Sequence, residues 1–368
     1  DGTLQRVKVL SSSALRGKVL KVSGKKEISI SVNWPVNQDI FANYIFRLSG
    51  KKHIEARVVS YNAKNKILKI SNLPEGILLE NQDFEITAEE EAPILAARIA
   101  TQTPLDQPLP PMEMRLGSTR GTNALLERKG AKTALLLTKG FGDLLKIDTQ
   151  QRPDIFTLNI QKQLPYYHQV IEVDERMDAA GKVLTALNEE KVDNIINQLK
   201  QSEAETVAIA LLHSYVNPAH EDQLKDAITK AGYQYISSSA ELAPSIRILP
   251  RAKTALVNAY LSPVVSDYLS SVFFRLHNSS LKVMTSAGGL VDADLFNPKD
   301  SLLSGPAGGV VGAASICHLA GFTDSGIQKI LAFDMGGTST DVSRYDGEFD
   351  YRYETQVGEI QLYSPSMA

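Results

Sequence analysis

The sequence predicts an α/β protein with a small all-β region near its N-terminus. Short alternating runs of apolar and polar residues fill positions 17–88. From residue 131 onwards, continuous apolar runs alternate with amphipathic helical patterns. The first pattern is typical of an antiparallel barrel or sandwich, and the second of a parallel sheet that helices cover on both faces.

Composition narrows the class of function. The chain has 368 residues, is 43% hydrophobic and carries a net charge of −3, which is enough for two or three domains. This near-neutral balance gives no broad basic field, so we expect neither nucleic acid nor an anionic membrane as partner. Cys317 is the only cysteine, which excludes an internal disulfide and predicts a reducing, cytoplasmic compartment.

The N-terminal region contains short runs with the alternation of strands, separated by clusters of turn-forming residues. The predicted strands lie at 17–22, 27–32, 44–48, 54–60, 66–70 and 84–87. Lysines are interspersed among them, but three glutamates follow at 89–91. A solvated face therefore explains the lysines better than a nucleic-acid site does.

A glycine and hydroxyl loop at 117–122 follows a predicted strand at 112–116 and enters a short helix at 123–129. Free N–H groups and the helix dipole at such a helix start favour an anion. An ordinary capped turn between a strand and a helix is the alternative interpretation.

The α/β region has predicted strands at 133–137, 206–212 and 233–237 and predicted helices at 189–201 and 220–231. A polar loop at 150–154 lies between the first two strands.

His213, Ser214 and Tyr215 follow the end of a strand, which is the usual place for a site in such sheets. No Gly-x-Ser-x-Gly elbow surrounds Ser214, so a hydrolase triad is disfavoured. His213, His220 and Glu221 lack a metal-ligand spacing.

Arg247 and Arg251 lie just before a long predicted helix at 252–277. Arginine matches carboxylate and phosphate groups bidentately, so the pair is a candidate anion clamp, with a surface ion pair as the alternative. A second Gly-Gly corner follows at 285–290, after a predicted strand at 281–284.

A helix is predicted over 303–321, with Pro306 in its first turn and Gly321 at its end. It is rich in small residues, whose glycines lower helix propensity and are tolerated where something packs very closely. These residues are Gly305, Ala307, Gly308, Gly309, Gly312 and Ala313.

The apolar run at 330–333 predicts a buried strand that ends in a turn containing Gly336 and Gly337. Glycines let backbone N–H groups approach phosphoryl oxygens, and the hydroxyls of Thr338 and Thr340 add donors. The sequence therefore predicts a phosphate site at this turn. A plain hairpin turn is the alternative.

Asp334 and Asp341 flank this turn, and carboxylates repel phosphate. Their expected partner is therefore a metal ion or an attacking water. Beyond them, strands at 342–345 and 348–353 are predicted to form a hairpin at Asp346-Gly347.

A helix of small residues followed by a strand that ends in Asp-x-Gly-Gly-Thr resembles the nucleotide cleft of actin-like (ribonuclease H-like) ATPases. In that superfamily the strand and hairpin form the second phosphate loop, and the helix crosses the hinge between two lobes. The resemblance implies actin-like ATPase lobes around the all-β insertion.

A series of motifs in family order makes the chain similar to the hydantoinase A/5-oxoprolinase family, and most similar to its 5-oxoprolinase branch. The motifs lie at 122–128, 138–141, 152–154, 213–215, 286–289, 303–312 and 333–343. The family opens with a first phosphate loop, which this chain lacks, and extends well beyond residue 368. We therefore expect a fragment that is inactive by itself.

The expected division of the chain follows from this resemblance. It has a remnant of the first lobe at 1–14, the β insertion at 15–90, an α/β domain at 91–245 and a partial ATPase lobe at 246–368.

The resemblance implies ATP- and Mg²⁺-dependent opening of a cyclic amide, most simply 5-oxoproline in glutathione metabolism. The expected catalytic residues are Asp334, which also holds Mg²⁺, and Asp341. The residues expected to bind the nucleotide are Gly336, Gly337, Thr338, Thr340, Gly305, Gly308 and Gly309. The residues expected to bind the lactam or hydantoin are Thr119, Thr122, Asn123, Arg247, Ser286, Gly288 and Gly289.

The implied partner is a second catalytic subunit or a fused C-terminal region that completes ring opening, and a homo-oligomer is a further expectation. Two other functions fit the same residues. One is a hydantoinase or ketone carboxylase subunit of the same lineage, and the other is a non-catalytic actin-like ATPase scaffold.

Overall fold

The computed structural model describes residues 5–23, 26–71, 79–150, 156, 158, 164–321, 329–335, 340–358 and 360–367. The chain divides into two compact units, one of Asp1–Met114 with Tyr268–Leu281 and one of Arg115–Asp267 with Lys282–Ala368. Within the described ranges, no helix has the length and apolar character needed to cross a membrane.

The first unit contains a closed antiparallel barrel, which confirms the predicted all-β region. Its strands are β1 (Ala14–Ser23), β2 (Glu27–Ser31), β3 (Ile45–Leu48), β4 (Lys51–Asn62), β5 (Ile67–Ile70) and β6 (Asp83–Thr87). They are hydrogen-bonded in the order β1-β2-β5-β4-β3-β6, and β1 pairs with β6 to close the ring. Each predicted strand in this region is confirmed, and closure leaves no free sheet edge.

Aromatic side chains fill the barrel. Phe41, Tyr44, Phe46 and Phe84 are fully buried, and the rings of Phe46 and Phe84 stack with centroids 5.0 Å apart. A Cβ added to Gly17 would lie 2.7 Å from the Phe84 ring, so even a methyl group does not fit there. The interior is therefore a packed core rather than a ligand cavity.

A buried ion pair stabilises the segment that follows the last strand of the barrel. Helix α1 (Ala92–Thr101) carries Arg98, whose Nε and Nη2 donate to the Glu90 carboxylate at 2.6 and 2.9 Å. Its Nη1 donates to the carbonyl oxygens of Pro104 and Gln107. One side chain thus joins the end of the barrel, α1 and the proline-rich connection.

We expect Arg98→Ala to lower the free energy of unfolding by about 3–5 kcal/mol, because the buried Glu90 carboxylate loses both hydrogen bonds from Arg98 and keeps only the more distant Arg275 Nη1, 3.8 Å away. The matched control is Arg47→Ala, which removes a more exposed arginine paired with Glu55 and Glu89 and should cost less than about 1 kcal/mol. Urea unfolding of the chain compares the two variants. Similar losses of unfolding free energy in the two variants would show that burial adds nothing to the stabilisation by the Glu90–Arg98 pair.

The second unit is built on a parallel four-stranded sheet of order β13-β12-β8-β9. Its strands are β8 (Thr133–Thr138), β9 (Gln169–Val173), β12 (Thr206–Ala210) and β13 (Tyr235–Ser238). Each residue of β8 and β12 is buried, as expected for central strands of a covered sheet. The predicted strands are confirmed, and β9 is an additional one.

Helices cover both faces of this sheet, as predicted. On one face, Leu136 and Ile209 pack with residues of α4 (Glu189–Gln201) and α5 (Ala219–Lys230). On the other face, Leu137 and its neighbours pack against α7 (Ile248–Phe274).

The described residues also form shorter helices and strands. They are β7 (Glu113–Leu116), α2 (Arg120–Leu126), α3 (Leu144–Ile147), β10 (Arg176–Met177), β11 (Val183–Thr185), α6 (Ser239–Leu242), β14 (Ser280–Met284), β15 (Leu290–Asp292) and two 3₁₀ turns (Ala293–Leu295 and Pro298–Ser301). Helix α2 begins at Arg120 rather than at 123. Thr122 and Asn123 therefore lie on the helix and not in the loop before it.

The C-terminal part contains α8 (Ser304–Leu319), which confirms the predicted small-residue helix, and two hairpins. Strand β16 (Ile330–Met335) pairs with β17 (Thr340–Tyr345), and β18 (Tyr351–Val357) pairs with β19 (Ile360–Met367). The predicted hairpin at Asp346-Gly347 is therefore wrong. Its glycine has φ +107° in the connection between two separate hairpins. A turn signal marks a change of chain direction, but it does not fix which strands pair.

The prediction that residues 330–333 form a buried strand is also wrong in part. The strand exists, but Leu331 and Phe333 are 74% and 71% exposed. They lie two positions apart and so share one face of a two-stranded ladder. Residues of α8 contact this ladder. The apolar face that carries Leu331 and Phe333 remains open to solvent.

Candidate functional site

The N-terminal end of α8 gathers loops that the sequence predicts to bind ligand. Thr122 Oγ1 donates to the carbonyl oxygen of Leu302 at 2.7 Å. Ser304 Oγ donates to the carbonyl oxygen of Ser118 at 3.1 Å. The loop that contains Ser118 and the start of α2 are thus bonded directly to Ser304 and Leu302 at the start of α8.

The Ser286 corner reaches the same helix end. Ser286 Oγ accepts the N–H of Leu303 at 3.0 Å and donates to the carbonyl oxygen of Asp300 at 2.8 Å. The side chain is 2% exposed, so its hydroxyl is engaged inside the protein. Ser286 therefore holds the approach to α8 in place.

The small residues of α8 differ in their surroundings. A Cβ on Gly305 would lie 3.9 Å from Thr119 Cγ2, and one on Gly308 would lie 3.7 Å from Met284. At Gly309, no described atom would come within 4 Å.

Gly288 lies outside α8, in the corner that contains Ser286. It has φ +78°, and a Cβ there would lie 2.5 Å from the Met367 side chain. Close packing therefore explains Gly288, while Gly309 faces open space.

The start of α8 has the general electrostatic character of a helix N-terminus, although Pro306 in its first turn supplies no N–H. The residue before α8, Leu303, supplies no side-chain cap among the described residues, and α8 runs for 16 residues. The first N–H groups of a helix have no partner within the helix, and its dipole places positive potential there. This end of α8 is therefore suited to an anion.

The strands before and after the predicted phosphate turn, β16 and β17, both contact α8. Asp334 and Asp341 occupy directly paired positions of the β16–β17 ladder, and Thr340 is paired with Met335. The predicted nucleotide-binding residues Gly336, Gly337 and Thr338 lie outside the described residues.

The structure places the predicted clamp Arg247 in an ion pair with Glu354. Arg247 Nε also donates to the Tyr363 hydroxyl at 2.6 Å, and its Cζ lies 5.3 Å from the centroid of that ring. The guanidinium is thus engaged by β18 and β19, although its side chain is still 56% exposed.

Sequence reasoning missed a buried carboxylate at the carboxyl end of the parallel sheet. Glu221, in the first turn of α5, is fully buried and lies 3.7 Å from Nη1 of Arg251. Burial lowers the pKa of the Arg251 guanidinium, and the Glu221 carboxylate opposes that shift. The carboxylate accepts hydrogen bonds from the hydroxyls of Ser214, Ser238 and Ser239 and from the backbone N–H groups of Leu211 and Ala240.

A second buried pair lies nearby in the same layer. His220 Nδ1 is 2.7 Å from Glu175 Oε2, and Thr138 Oγ1 donates to the same carboxylate. The N–H of Leu212 in turn donates to Thr138 Oγ1 at 2.8 Å. Across the described ranges, no group of three or more His, Cys, Asp or Glu residues is arranged to hold a metal.

Comparison with known proteins gives the family. The description "Hydantoinase/oxoprolinase N-terminal region" matches residues 82–232, and "Hydantoinase/oxoprolinase" matches residues 251–368. The chain belongs to the hydantoinase/oxoprolinase family.

Curated relatives agree with this assignment. The 5-oxoprolinase of Saccharomyces cerevisiae is 38% identical over an alignment of 285 residues, and the match covers 69% of this chain and 22% of that protein. A more distant relative is the acetophenone carboxylase gamma subunit of Aromatoleum aromaticum. It is 28% identical over an alignment of 253 residues, and the match covers 62% of this chain and 34% of that protein. The chain thus spans less than a quarter of the yeast relative.

Two solved structures share the fold. Nucleotide-free acetone carboxylase matches 70% of this chain and 38% of its own, with 25% identity and a TM-score of 0.60. The ATP-dependent caprolactamase from Pseudomonas jessenii matches 88% of this chain and 46% of its own, with 22% identity and a TM-score of 0.59.

We expect Gly121→Ala to lower the free energy of unfolding by about 1–3 kcal/mol, because it overpacks the contact between α2 and the turn before α8. The new Cβ would lie 2.1 Å from Ser301 Oγ, a hydroxyl already bonded to the Pro298 carbonyl oxygen. Gly117→Ala is the matched control, since a Cβ there meets no described atom within 4 Å, and should change stability by less than about 0.5 kcal/mol. Equal urea midpoints for the two variants would refute the close approach of Gly121 to Ser301.

Proposed function

We propose that this chain contains the nucleotide-binding part of an ATP-dependent cyclic amide hydrolase, which opens 5-oxoproline to glutamate. The main support is the meeting of the 117–122 loop and the Ser286 corner at the start of α8, the helix that contacts the Asp334 hairpin. The names of two similar proteins, a 5-oxoprolinase and an ATP-dependent caprolactamase, point to the same chemistry.

The reaction explains a need for ATP. A lactam carbonyl is a poor electrophile, and transfer of the γ-phosphoryl group of ATP to its oxygen activates the carbonyl carbon. Water then adds to that carbon and the ring C–N bond breaks, with a proton going to the nitrogen. A second water hydrolyses the resulting acyl phosphate to the free carboxylate and phosphate. The protein then has to position the two reactants and stabilise the charge of an in-line transfer. We assign phosphate binding to Gly336, Gly337, Thr338 and Thr340, with the small residues of α8 beside the nucleotide.

The two aspartates suit Mg²⁺. Their positions are paired in the backbone register of the β16–β17 ladder. Carboxylates together with phosphate oxygens are typical Mg²⁺ ligands. We propose Asp334 as the Mg²⁺ ligand and Asp341 as a second catalytic carboxylate.

For the substrate we propose the surface around Thr119, Thr122 and Asn123, together with the Gly288-Gly289 corner. Ser286 would act there by fixing the corner, since both hydrogen-bonding roles of its hydroxyl are already used. Arg247 would bind the substrate carboxylate by exchanging Glu354 for it, as its side chain remains half exposed.

The proposal extends to the whole protein. We infer actin-like ATPase lobes, with residues 15–90 as an insertion, and a cytoplasmic enzyme in which residues 1–368 alone do not turn over. We infer that ring opening is completed by a second subunit or a fused C-terminal region. The relative that is named a gamma subunit supports such a division of labour.

A ketone carboxylase subunit is the second candidate function. The likeness to acetone carboxylase, with a TM-score of 0.60, favours it. ADP release by the full-length protein with 5-oxoproline, hydantoin or acetone as the added substrate separates these functions. ATP turnover that none of them stimulates would instead favour an actin-like scaffold.

We expect 5-oxoproline to stimulate ADP release by the full-length protein, and Asp334→Asn to reduce that release about 100-fold or more by removing a charge that supports phosphoryl transfer. Asp346→Asn is the control, because this carboxylate lies in the connection after β17 and pairs with Arg344. It should retain activity within about twofold. The site assignment fails if Asp334→Asn remains as active as the control.

A further inference from the structure

One face of the β16–β17 ladder is apolar and uncovered. Leu331, Phe333 and Met335 alternate along β16, and Val342 is the cross-strand partner of Phe333, so the four side chains share this face. Each of them is more than half exposed, Met335 to 75% and Val342 to 58%. A contiguous apolar patch of this kind marks a surface that packs against something else.

The sequence of β16 is typical of a strand that is covered on both sides. Residues 330–333 are all apolar, so both faces of the strand carry apolar side chains. Ile330 and Ala332 point away from the open face and are partly buried, and α8 contacts both strands of the ladder. Helix α8 thus supplies one of two expected layers, and the second layer is absent from the described residues.

The dimensions of the open face suit a single helix. Each strand of the ladder has six residues, so the face is about 20 Å long. An α-helix of about 13 residues has the same length, and its diameter of about 10 Å spans two neighbouring strands with their side chains. Such a helix would complete the α/β/α layering that the parallel sheet of the same unit already has.

The length of a relative indicates where this helix comes from. The match covers 22% of the yeast 5-oxoprolinase, so most of a protein of that length lies outside residues 1–368. We propose that an amphipathic helix from that remaining part of the same polypeptide packs on the face formed by Leu331, Phe333, Met335 and Val342. The inference goes beyond the proposed function and does not depend on the reaction. Because this ladder flanks the proposed phosphate turn, the helix would also stabilise the strands on both sides of that turn.

The first test is hydroxyl-radical footprinting of the full-length protein, which reports the exposure of individual side chains by mass spectrometry. Leu331 is 74% exposed and Leu20, in the barrel, is 51% exposed, so an uncovered Leu331 oxidises at least as fast as Leu20. We expect it to oxidise roughly tenfold more slowly than Leu20, close to the fully buried Leu68, because core leucines expose very little surface. Oxidation of Leu331 at the rate of Leu20 or faster would overturn the proposal. This measurement needs no turnover, so its outcome is separate from that of the proposed function.

The second test identifies the occupant of the face. The photoreactive residue p-benzoylphenylalanine replaces Phe333 in the full-length protein and keeps an aromatic ring at this position. We expect a cross-link within one molecule, to a segment outside residues 1–368. A cross-link between two copies of the protein would show that a second copy covers the face, and a cross-link to a different protein would show a separate subunit. Either result would overturn the proposal.

A substituted protein tests whether the apolar character of the face matters. Phe333→Asp places a charge on the covered face and should displace the helix, so that Leu331 oxidises as fast as Leu20. Val59→Asp is the matched control, because Val59 is a strand residue of the barrel that is 52% exposed, and it should leave Leu331 protected. Continued protection of Leu331 in Phe333→Asp would refute packing on this face. If Phe333→Asp does not fold, the footprint of the wild-type protein and the cross-link still decide the question.

Discussion

The buried carboxylate of Glu221 is the interaction on which the carboxyl end of the parallel sheet depends. Its hydrogen bonds reach the turn after β12, the end of β13 and the start of α6, so three segments share one anion. Arg251 completes the arrangement from α7. Desolvation of two charged groups is costly, and the hydroxyl and backbone donors around Glu221 offset it.

Side chains of helix α7 extend this network of hydrogen bonds towards the start of α8. One turn after Arg251, Thr254 Oγ1 accepts the N–H of Tyr363 in β19. One turn further, Asn258 donates to Ser237 Oγ and accepts the N–H of Lys299. These bonds connect the sheet to the turn at Pro298–Ser301, and that turn leads directly to α8. The candidate site therefore depends on side chains far from any glycine loop.

The sequence allowed most helices and strands to be predicted, because their signals are local. Alternation defines the barrel strands, and the continuous apolar runs define β8 and β12. Strand β9 was missed because Gln169 and Glu172 interrupt its apolar pattern. The β18–β19 hairpin was missed because strand pairing is a non-local choice that the turn signal at Gly347 does not encode.

The candidate site was predictable in outline but not in detail. Hydroxyl and glycine patterns indicated Thr122, Ser286 and Gly305, and the structure brings their segments together. No pattern indicated that Glu354 would engage Arg247 or that Glu221 would lie beside Arg251. Partners of this kind are set by how distant segments pack, and a carboxylate in an amphipathic helix gives no sign of its burial.

The exposed apolar face of the β16–β17 hairpin has a consequence for the timing of local motions. A ladder of two strands is marginally stable by itself, and this one leaves Leu331 and Phe333 open to solvent. Its backbone hydrogen bonds should therefore open far more often than those of β8 and β12, whose residues are all buried. Amide protons of the hairpin would exchange with solvent early. A ligand that binds only the closed ladder would slow that exchange in proportion to its occupancy, and its apparent affinity would fall with the fraction of molecules that are open.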